Sequence, residues 1–175
     1  MRAPREQCTI CARSNASGSH MPIPRSNDDD EFRAMGYVAV YGAYMEEFAS
    51  KCFDLLRAHD PQNPRGNRWQ ISTHLDSCLR AIDALPPHDE WPAIRPIFRE
   101  AKRLAGERNI AIHSPLYAMA DGENIRRARL PENENAYSTA ASIYGLAEEI
   151  FTVLQTLLAA SVRMPRFIDE ARHTG

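Results

Sequence analysis

The chain contains 175 residues, 43% of them hydrophobic and 25% charged, which is an ordinary balance for a globular protein. This length favours one domain with a hydrophobic core large enough to need no disulfide or metal. The formal net charge of −2 argues against broad, unspecific binding of nucleic acid, which depends on many contacts from Lys and Arg to phosphate groups.

Residues 1–27 have the composition of a disordered tail. They are rich in Ser, Arg, Asn and Pro, and four arginines against one glutamate give them a net charge of +3. Residues 18–21 read Gly-Ser-His-Met, which is typical of a cloning remnant; the alternative is a chance match. The tail contains no apolar signal core and the chain no long uninterrupted apolar run, so we expect a cytoplasmic location.

The four cysteines fall into two groups. Cys8 and Cys11 form a C-x-x-C pair in the tail, but a structural zinc site needs four ligands, and His20 would supply only a third. A reduced, unstructured pair is therefore the favoured interpretation, and we expect no metal and no cofactor. Cys52 and Cys78 fall on apolar helix stripes and are expected to be buried free thiols.

Apolar residues at helical spacing predict the first two helices. The acidic residues at positions 28–31 suit a helix N-terminus, because they oppose the positive end of the helix dipole, and an apolar stripe follows over residues 34–55. The Asp-Pro pair at 60–61 ends this helix, since proline disfavours a helical residue before it. A second helix is expected over about residues 67–85, where a double proline stops it.

The second half of the chain predicts two more helices around a long connection. The third helix is expected over residues 92–113, starting at a proline that suits a first helical turn. Residues 114–135 form an irregular connection, which is long for a compact domain and is therefore either functional or mobile. The fourth helix is expected over about residues 136–163, with Pro165 ending it.

This pattern predicts an all-α fold. Four long amphipathic helices with polar outer faces pack best as an antiparallel bundle. The domain is expected to span residues 28–165, with a short polar tail over residues 166–175.

Arg108 occupies an unusual position on the third helix. At about 100° per residue it falls within the apolar stripe that includes Ile94 and Leu104. A guanidinium in a core position is costly unless it is paired, and Glu46 and Glu47, midway along the first helix, are the best placed carboxylates. The alternative is that this part of the stripe is a seam between two subunits.

His113 ends the same helix, where the dipole favours a protonated ring. A histidine that gains or releases a proton near neutral pH suits general acid–base catalysis, and a nearby Arg108 suits the binding of phosphate. Asn109 lies four residues before His113, so its amide can orient the ring. The three residues together fit cleavage of an RNA phosphodiester in which the ribose 2′-OH is the nucleophile and no metal is required.

The stretch over residues 107–114, Glu-Arg-Asn-Ile-Ala-Ile-His-Ser, resembles the R-x4–6-H motif of the HEPN superfamily, whose first x is usually Asn, Asp or His. By helix order the resemblance covers residues 28–165. It implies a helical bundle that forms a homodimer, in which the Arg and His of both subunits share a cleft and act as a metal-independent endoribonuclease. Members often belong to toxin–antitoxin or other defence systems, so the resemblance also implies an antitoxin or defence partner.

The spacing alone is a weak signal, because Arg68 and His74 on the second helix fit the looser form of the motif. The pair Arg108 and His113 is favoured by its context, which combines the adjacent Asn, the helix-terminal His and a charge in an apolar register. One HEPN subgroup has a Tyr two residues after the His, where this chain has Pro115. The alternative function is a non-catalytic HEPN-like helical module that binds a protein or an RNA.

Other cations are candidates for contact with RNA. Arg95, Arg99 and Lys102 define a basic face of the third helix, and Arg126 and Arg127 form a basic run in the long connection, where a solvated loop is the alternative interpretation. A di-iron site of the kind found in helical bundles is not expected, because no His has a Glu three residues before it.

Overall fold

A computed structural model describes residues 28–62, 70–114, 116–118, 124–126, 137 and 139–174 of the chain. Its elements are the helices α1 (Asp28–Leu56), α2 (Ile71–Ala84), α3 (Trp91–His113) and α4 (Ala140–Thr174), a 3-10 turn (Arg57–His59) and the short strands β1 (Leu116–Ala118) and β2 (Asn124–Arg126). The predicted all-α helical bundle is thereby confirmed. The predictions for the tail over residues 1–27, for its Cys8 and Cys11, and for Arg127 lie outside the described residues.

Helix α1 packs most extensively against α4, and these two helices run in the same direction. Near the start of both helices, the Tyr144 hydroxyl donates to Asp30 Oδ1 at 3.4 Å. Near the end of both, Arg172 Nη2 lies 3.1 Å from His59 Nε2. The start of α1 contacts the start of α4 and the end of α1 contacts the end of α4, so the two helices are parallel.

Helix α3 runs antiparallel to its neighbours α2 and α4. The ion pairs that show this are Lys102–Asp76 (2.7 Å) and Arg95–Asp83 (3.0 Å) with α2, and Arg103–Glu149 (2.5 Å) and Arg163–Glu90 (3.2 Å) with α4. The predicted antiparallel packing therefore holds for α3, whereas α1 and α4 share one direction.

The predicted end of the fourth helix at Pro165 is wrong, since α4 continues to Thr174. The expected polar tail therefore forms the last turns of a helix. Proline inside a helix removes one hydrogen bond and costs about 3 kcal/mol. Burial of Phe167, Ile168 and Ala171 against the core offsets this cost.

The composition of α4 would also allow it to cross a membrane, because its most apolar window has a mean hydropathy of 1.3. The helix contains no long uninterrupted apolar run. Its apolar stripe, which includes Ile143, Ile150, Leu157 and Met164, is buried in the bundle. In total 39% of that window is buried in the bundle, so packing accounts for part of this hydropathy.

The connection between α3 and α4 contains a feature that the sequence pattern did not predict. Leu116–Ala118 and Asn124–Arg126 pair as two antiparallel strands, with Tyr117 opposite Ile125. Three-residue strands are too short for alternating hydrophobicity to reveal them.

Both cysteines in the described helices are free thiols in the core, as predicted. Burial raises the pKa of the Cys52 thiol to about 12 and raises that of Cys78 well above its ordinary value. Neither is a nucleophile at neutral pH, because the thiolate is the reactive form.

A buried aspartate joins the end of α1 to α2. The carboxylate of Asp60 accepts hydrogen bonds from Ser77 Oγ (2.5 Å), from Arg80 Nε and Nη2 (3.1 and 2.7 Å) and from the backbone N–H of Gln62 (3.0 Å). Burial alone would raise the pKa of Asp60, but these hydrogen bonds outweigh it and the pKa is lowered. The four bonds fix where the chain leaves α1 and how α2 is placed against it.

Helix α3 approaches α1 closely at Gly42. A Cβ atom at this position would lie 3.0 Å from Arg108 Nε and 3.2 Å from Arg108 Cγ. The missing side chain of Gly42 therefore leaves the space in which the stem of Arg108 crosses α1. By contrast, a Cβ at Gly36 would meet nothing within 4 Å.

We expect Asp60→Asn to lower the free energy of unfolding at pH 7 by about 2 kcal/mol, because it leaves Arg80 without its buried charge partner. In the wild type this contribution is complete above the pKa of an unfolded aspartate, about 3.9, and is lost as the pH falls through the lower folded-state pKa. Urea unfolding at several pH values measures both effects. Asp83→Asn, which removes a surface ion pair, is the control and should cost less than about 1 kcal/mol; equal losses in the two variants would contradict the assignment.

We expect Gly36→Ala to raise the free energy of unfolding by about 1 kcal/mol through helix propensity. Gly42→Ala has the same propensity gain but forces the Arg108 side chain away from α1. Its stability should therefore fall measurably below that of Gly36→Ala in thermal or urea unfolding. Equal stabilisation by the two substitutions would show that the close approach at Gly42 imposes no constraint.

Candidate functional site

The guanidinium of Arg108 lies between α1 and α3. Its Nη1 donates to Glu46 Oε1 at 3.2 Å and to Asn109 Oδ1 at 3.2 Å. The expected pairing with α1 is confirmed for Glu46, whereas Glu47 pairs with Lys51 at 2.7 Å. The side chain of Arg108 is 20% exposed, so the cation lies at the edge of the core and not within it.

Arg108 retains hydrogen-bonding capacity after these contacts. Its Nε is buried and has no partner in the described part of the chain. Its Nη2 makes no hydrogen bond to another described residue. Glu46 is 45% exposed and contacts the guanidinium through one oxygen only. Because Nε is buried, Nη2 is the donor that remains for a second anion such as a phosphate.

His113 is the last residue of α3, and its side chain is exposed. It follows Asn109 by four residues, so both lie on one face of α3, about one turn apart. Arg108 is five residues away from His113, which places the two about 140° apart around the axis. Among the described residues, Asn109 hydrogen-bonds to Arg108 and not to the ring that it was expected to orient.

An open groove of about 790 Å³ runs between α1, α2 and α3 beside Arg108. The polar side chains that line it include those of Glu46, Glu47, Gln70, His74, Lys102 and Asn109. Asn109 thus joins the groove to Arg108, and His113 lies one turn beyond it on the same face of α3.

His74 is a groove residue that the sequence reasoning did not select. Its ring stacks on Phe53, with a centroid distance of 4.5 Å and an interplanar angle of 11°. Burial lowers the pKa of His74, although Asp54 opposes this effect, so the neutral ring is favoured at pH 7. One indication of His74 was present in the sequence, its match with Arg68 to the looser form of the motif. Arg68 lies outside the described residues.

The predicted basic face of α3 is mostly paired with α2. Lys102 contacts both carboxylate oxygens of Asp76, at 2.7 and 2.8 Å, and Arg95 donates to Asp83 at 3.0 Å. Arg99 is exposed. These ion pairs hold α2 against α3 and compensate most of the positive charge that was expected to meet RNA. Arg126 is the last residue of β2, and its side chain is outside the described part of the structure.

Two other surface features lie away from Arg108. A second cavity, of about 660 Å³, surrounds His88, whose Nε2 is 3.2 Å from Glu170 Oε2. An exposed apolar stripe follows the seam of α1 and α4, and we call it the α1/α4 stripe; it comprises Tyr37, Val40, Tyr44, Phe151, Leu158 and Val162. Within the described residues no cluster of His, Cys, Asp and Glu has the arrangement of a metal site.

No family model matches the chain, and neither a curated protein nor a solved structure shows significant similarity to it.

Proposed function

We propose that the chain is a metal-independent endoribonuclease of the HEPN type, with Arg108 and His113 in its active site and a homodimer as its working form. The observation that carries this proposal is the placement of Arg108. Gly42 leaves room for its stem, and its guanidinium contacts Glu46 and Asn109, which line an open groove, so that Nη2 remains as a donor for a phosphate. His113 lies five residues farther along α3, about 140° around the axis from Arg108, and is exposed to solvent.

The reaction needs three contributions from the protein. The ribose 2′ oxygen attacks the adjacent phosphorus, and the bond from phosphorus to the 5′ oxygen of the next nucleotide breaks. A base takes the 2′-OH proton and an acid protonates the leaving 5′ oxygen, so the products carry a 2′,3′-cyclic phosphate and a 5′-hydroxyl. Arg108 binds the non-bridging oxygens and stabilises the charge that develops on them. The nucleophile comes from the RNA, so no metal is needed to generate one.

The need for both a general acid and a general base favours a homodimer. In an in-line displacement the attacking and leaving oxygens lie on opposite sides of phosphorus, so one imidazole cannot serve both in a single step. Two His113 rings, one from each subunit, supply one base and one acid. Asn109 acts through Arg108, because its oxygen accepts a hydrogen bond from that guanidinium.

The expected basic contacts play a smaller part in this proposal. Arg95 and Lys102 are already paired with carboxylates of α2. Binding of RNA therefore depends on a few local groups, and its salt dependence should be shallow compared with that of a broadly basic protein.

The first test is cleavage of varied single-stranded RNAs in the presence of EDTA. We expect His113→Ala and Arg108→Ala each to reduce the rate by about 100-fold or more, because each removes a group that acts in the transition state. Arg108→Lys should also lose activity, since lysine keeps the charge but not the planar fork. Arg33→Ala, which removes an exposed arginine of α1 that has no part in the proposed site, is the control.

The chemistry gives a second readout in the same assay. Products should end in a 2′,3′-cyclic phosphate, and a 2′-deoxy substitution at the cleaved nucleotide should block the reaction. Wild-type protein that cuts none of the RNAs, or His113→Ala protein that cuts as fast as wild type, would overturn the proposal.

The shared cleft makes a separate prediction. When wild-type subunits are exchanged with an excess of His113→Ala subunits, activity should follow the square of the wild-type fraction, because each reaction needs two His113 rings. Native mass spectrometry verifies the exchange. Activity that falls linearly with the wild-type fraction would show that each subunit works alone.

The α1/α4 stripe favours a second candidate function. Several large apolar side chains exposed along one seam are typical of a surface that binds another protein. A non-catalytic helical module that binds a protein partner through this stripe would need no chemistry from Arg108. In that case His113→Ala would leave partner binding unchanged, whereas Tyr44→Glu would abolish it.

A further inference from the structure

We propose that the groove between α1, α2 and α3 binds an unpaired nucleobase, which stacks on the ring of His74. This inference rests on the proposed RNA substrate and identifies a subsite next to Arg108. The groove volume of about 790 Å³ lies in the range of ligand pockets and exceeds what one base needs.

The charges around the groove favour a neutral polar ligand. Each charged side chain that lines it already has an ion partner: Glu46 pairs with Arg108, Glu47 with Lys51, and Lys102 with Asp76. A bare phosphate or a metal ion would meet no uncompensated charge of opposite sign there. A nucleobase carries no charge and offers a flat face together with hydrogen-bonding edges.

His74 provides the flat surface. Phe53 covers one face of its ring at 4.5 Å and holds the ring in one orientation, while His74 also lines the groove. The lowered pKa favours the neutral ring, so a base stacked on it does not have to displace the solvation of a charge. Stacking on an aromatic side chain is the usual way in which proteins hold single-stranded bases.

The edges of a base meet polar partners in the same groove. The side chains of Gln70 and Asn109 each carry an amide, and the carboxylate of Glu47 can accept from an exocyclic amine. Asn109 uses its oxygen on Arg108, which leaves its amide nitrogen as a donor. A base on His74 would therefore be fixed both by its face and by its edge.

The separation of His74 from Asn109, the neighbour of Arg108, fits a continuous strand. Because α2 and α3 are antiparallel and Asp76 pairs with Lys102, His74 lies at about the level of Leu104 on α3. Asn109 is five residues farther along, roughly 8 Å at the rise of an α-helix. That is about two stacked nucleotides, so one strand can place a phosphate at Arg108 and a nearby base at His74.

The test measures binding without cleavage. Fluorescein-labelled single-stranded 2′-O-methyl oligoribonucleotides lack the attacking hydroxyl, and their affinity for the full chain is read by fluorescence anisotropy. We expect His74→Leu, which keeps apolar contact with Phe53 but has no aromatic face, to weaken binding by about tenfold. His74→Phe should retain wild-type affinity. His88→Leu, the same substitution at a histidine in the second cavity, should also bind like wild type.

Three further measurements distinguish base stacking from an ion-pair contact, from binding of paired RNA and from misfolding of a variant. The loss in His74→Leu should be the same at low and high salt, because stacking is not an ion-pair interaction. A fully paired duplex of the same sequence should bind more weakly than the single strand. Thermal unfolding of His74→Leu and His74→Phe checks that both variants are folded.

The possible outcomes distinguish this subsite from the proposed enzyme. If wild type binds oligonucleotides and His74→Leu binds tenfold more weakly while no RNA is cleaved, the subsite stands and the ribonuclease does not. If cleavage depends on His113 but His74→Leu and wild type bind alike, the subsite is overturned and the enzyme stands. Absence of any binding by wild type, or equal affinity for the duplex, overturns the subsite as well.

Discussion

The region around the candidate site depends on one packing constraint, the crossing of Arg108 over Gly42. An arginine in the apolar register of α3 has to leave the core without separating α3 from α1. The missing Cβ of Gly42 leaves room for the stem, and Glu46 balances the charge at the edge of the groove. The close approach of α3 to α1 at Gly42 and the hydrogen bond from Arg108 to Asn109 both belong to this crossing.

Most of the positive charge on α3 stabilises the bundle and is not available to a ligand. Lys102 and Arg95 bind carboxylates of α2, and Arg103 binds Glu149 of α4. Exposed pairs of this kind contribute little stability individually, but their geometry fixes the direction and register of α3 against its neighbours. Arg108 differs from Arg95 and Arg103 because it meets its carboxylate through one guanidinium nitrogen, whereas each of those two uses more than one.

The groove and the α1/α4 stripe lie on opposite sides of α1. Tyr44 precedes Glu46 by two residues, and Val40 precedes Gly42 by two, so each pair is separated by about 200° around the helix axis. An association through the stripe alone would not bring two Arg108 side chains together. The proposed catalysis in a shared cleft and the proposed association through the stripe are therefore independent of each other, and different substitutions test them.

The sequence alone determined the helical class, because apolar residues at helical spacing are a local property of the chain. It also determined that Arg108 needs a carboxylate from the first helix, since a guanidinium in a core register must be paired, and that Cys52 and Cys78 are buried. It did not reveal that α4 passes through Pro165, because the energy that offsets the proline comes from burial of Phe167 and Ile168 against distant parts of the chain. Only the tertiary structure brought His74 from α2 into the groove beside Asn109, and only it paired Lys102 with Asp76. Such contacts join residues far apart in sequence, so no local pattern encodes them.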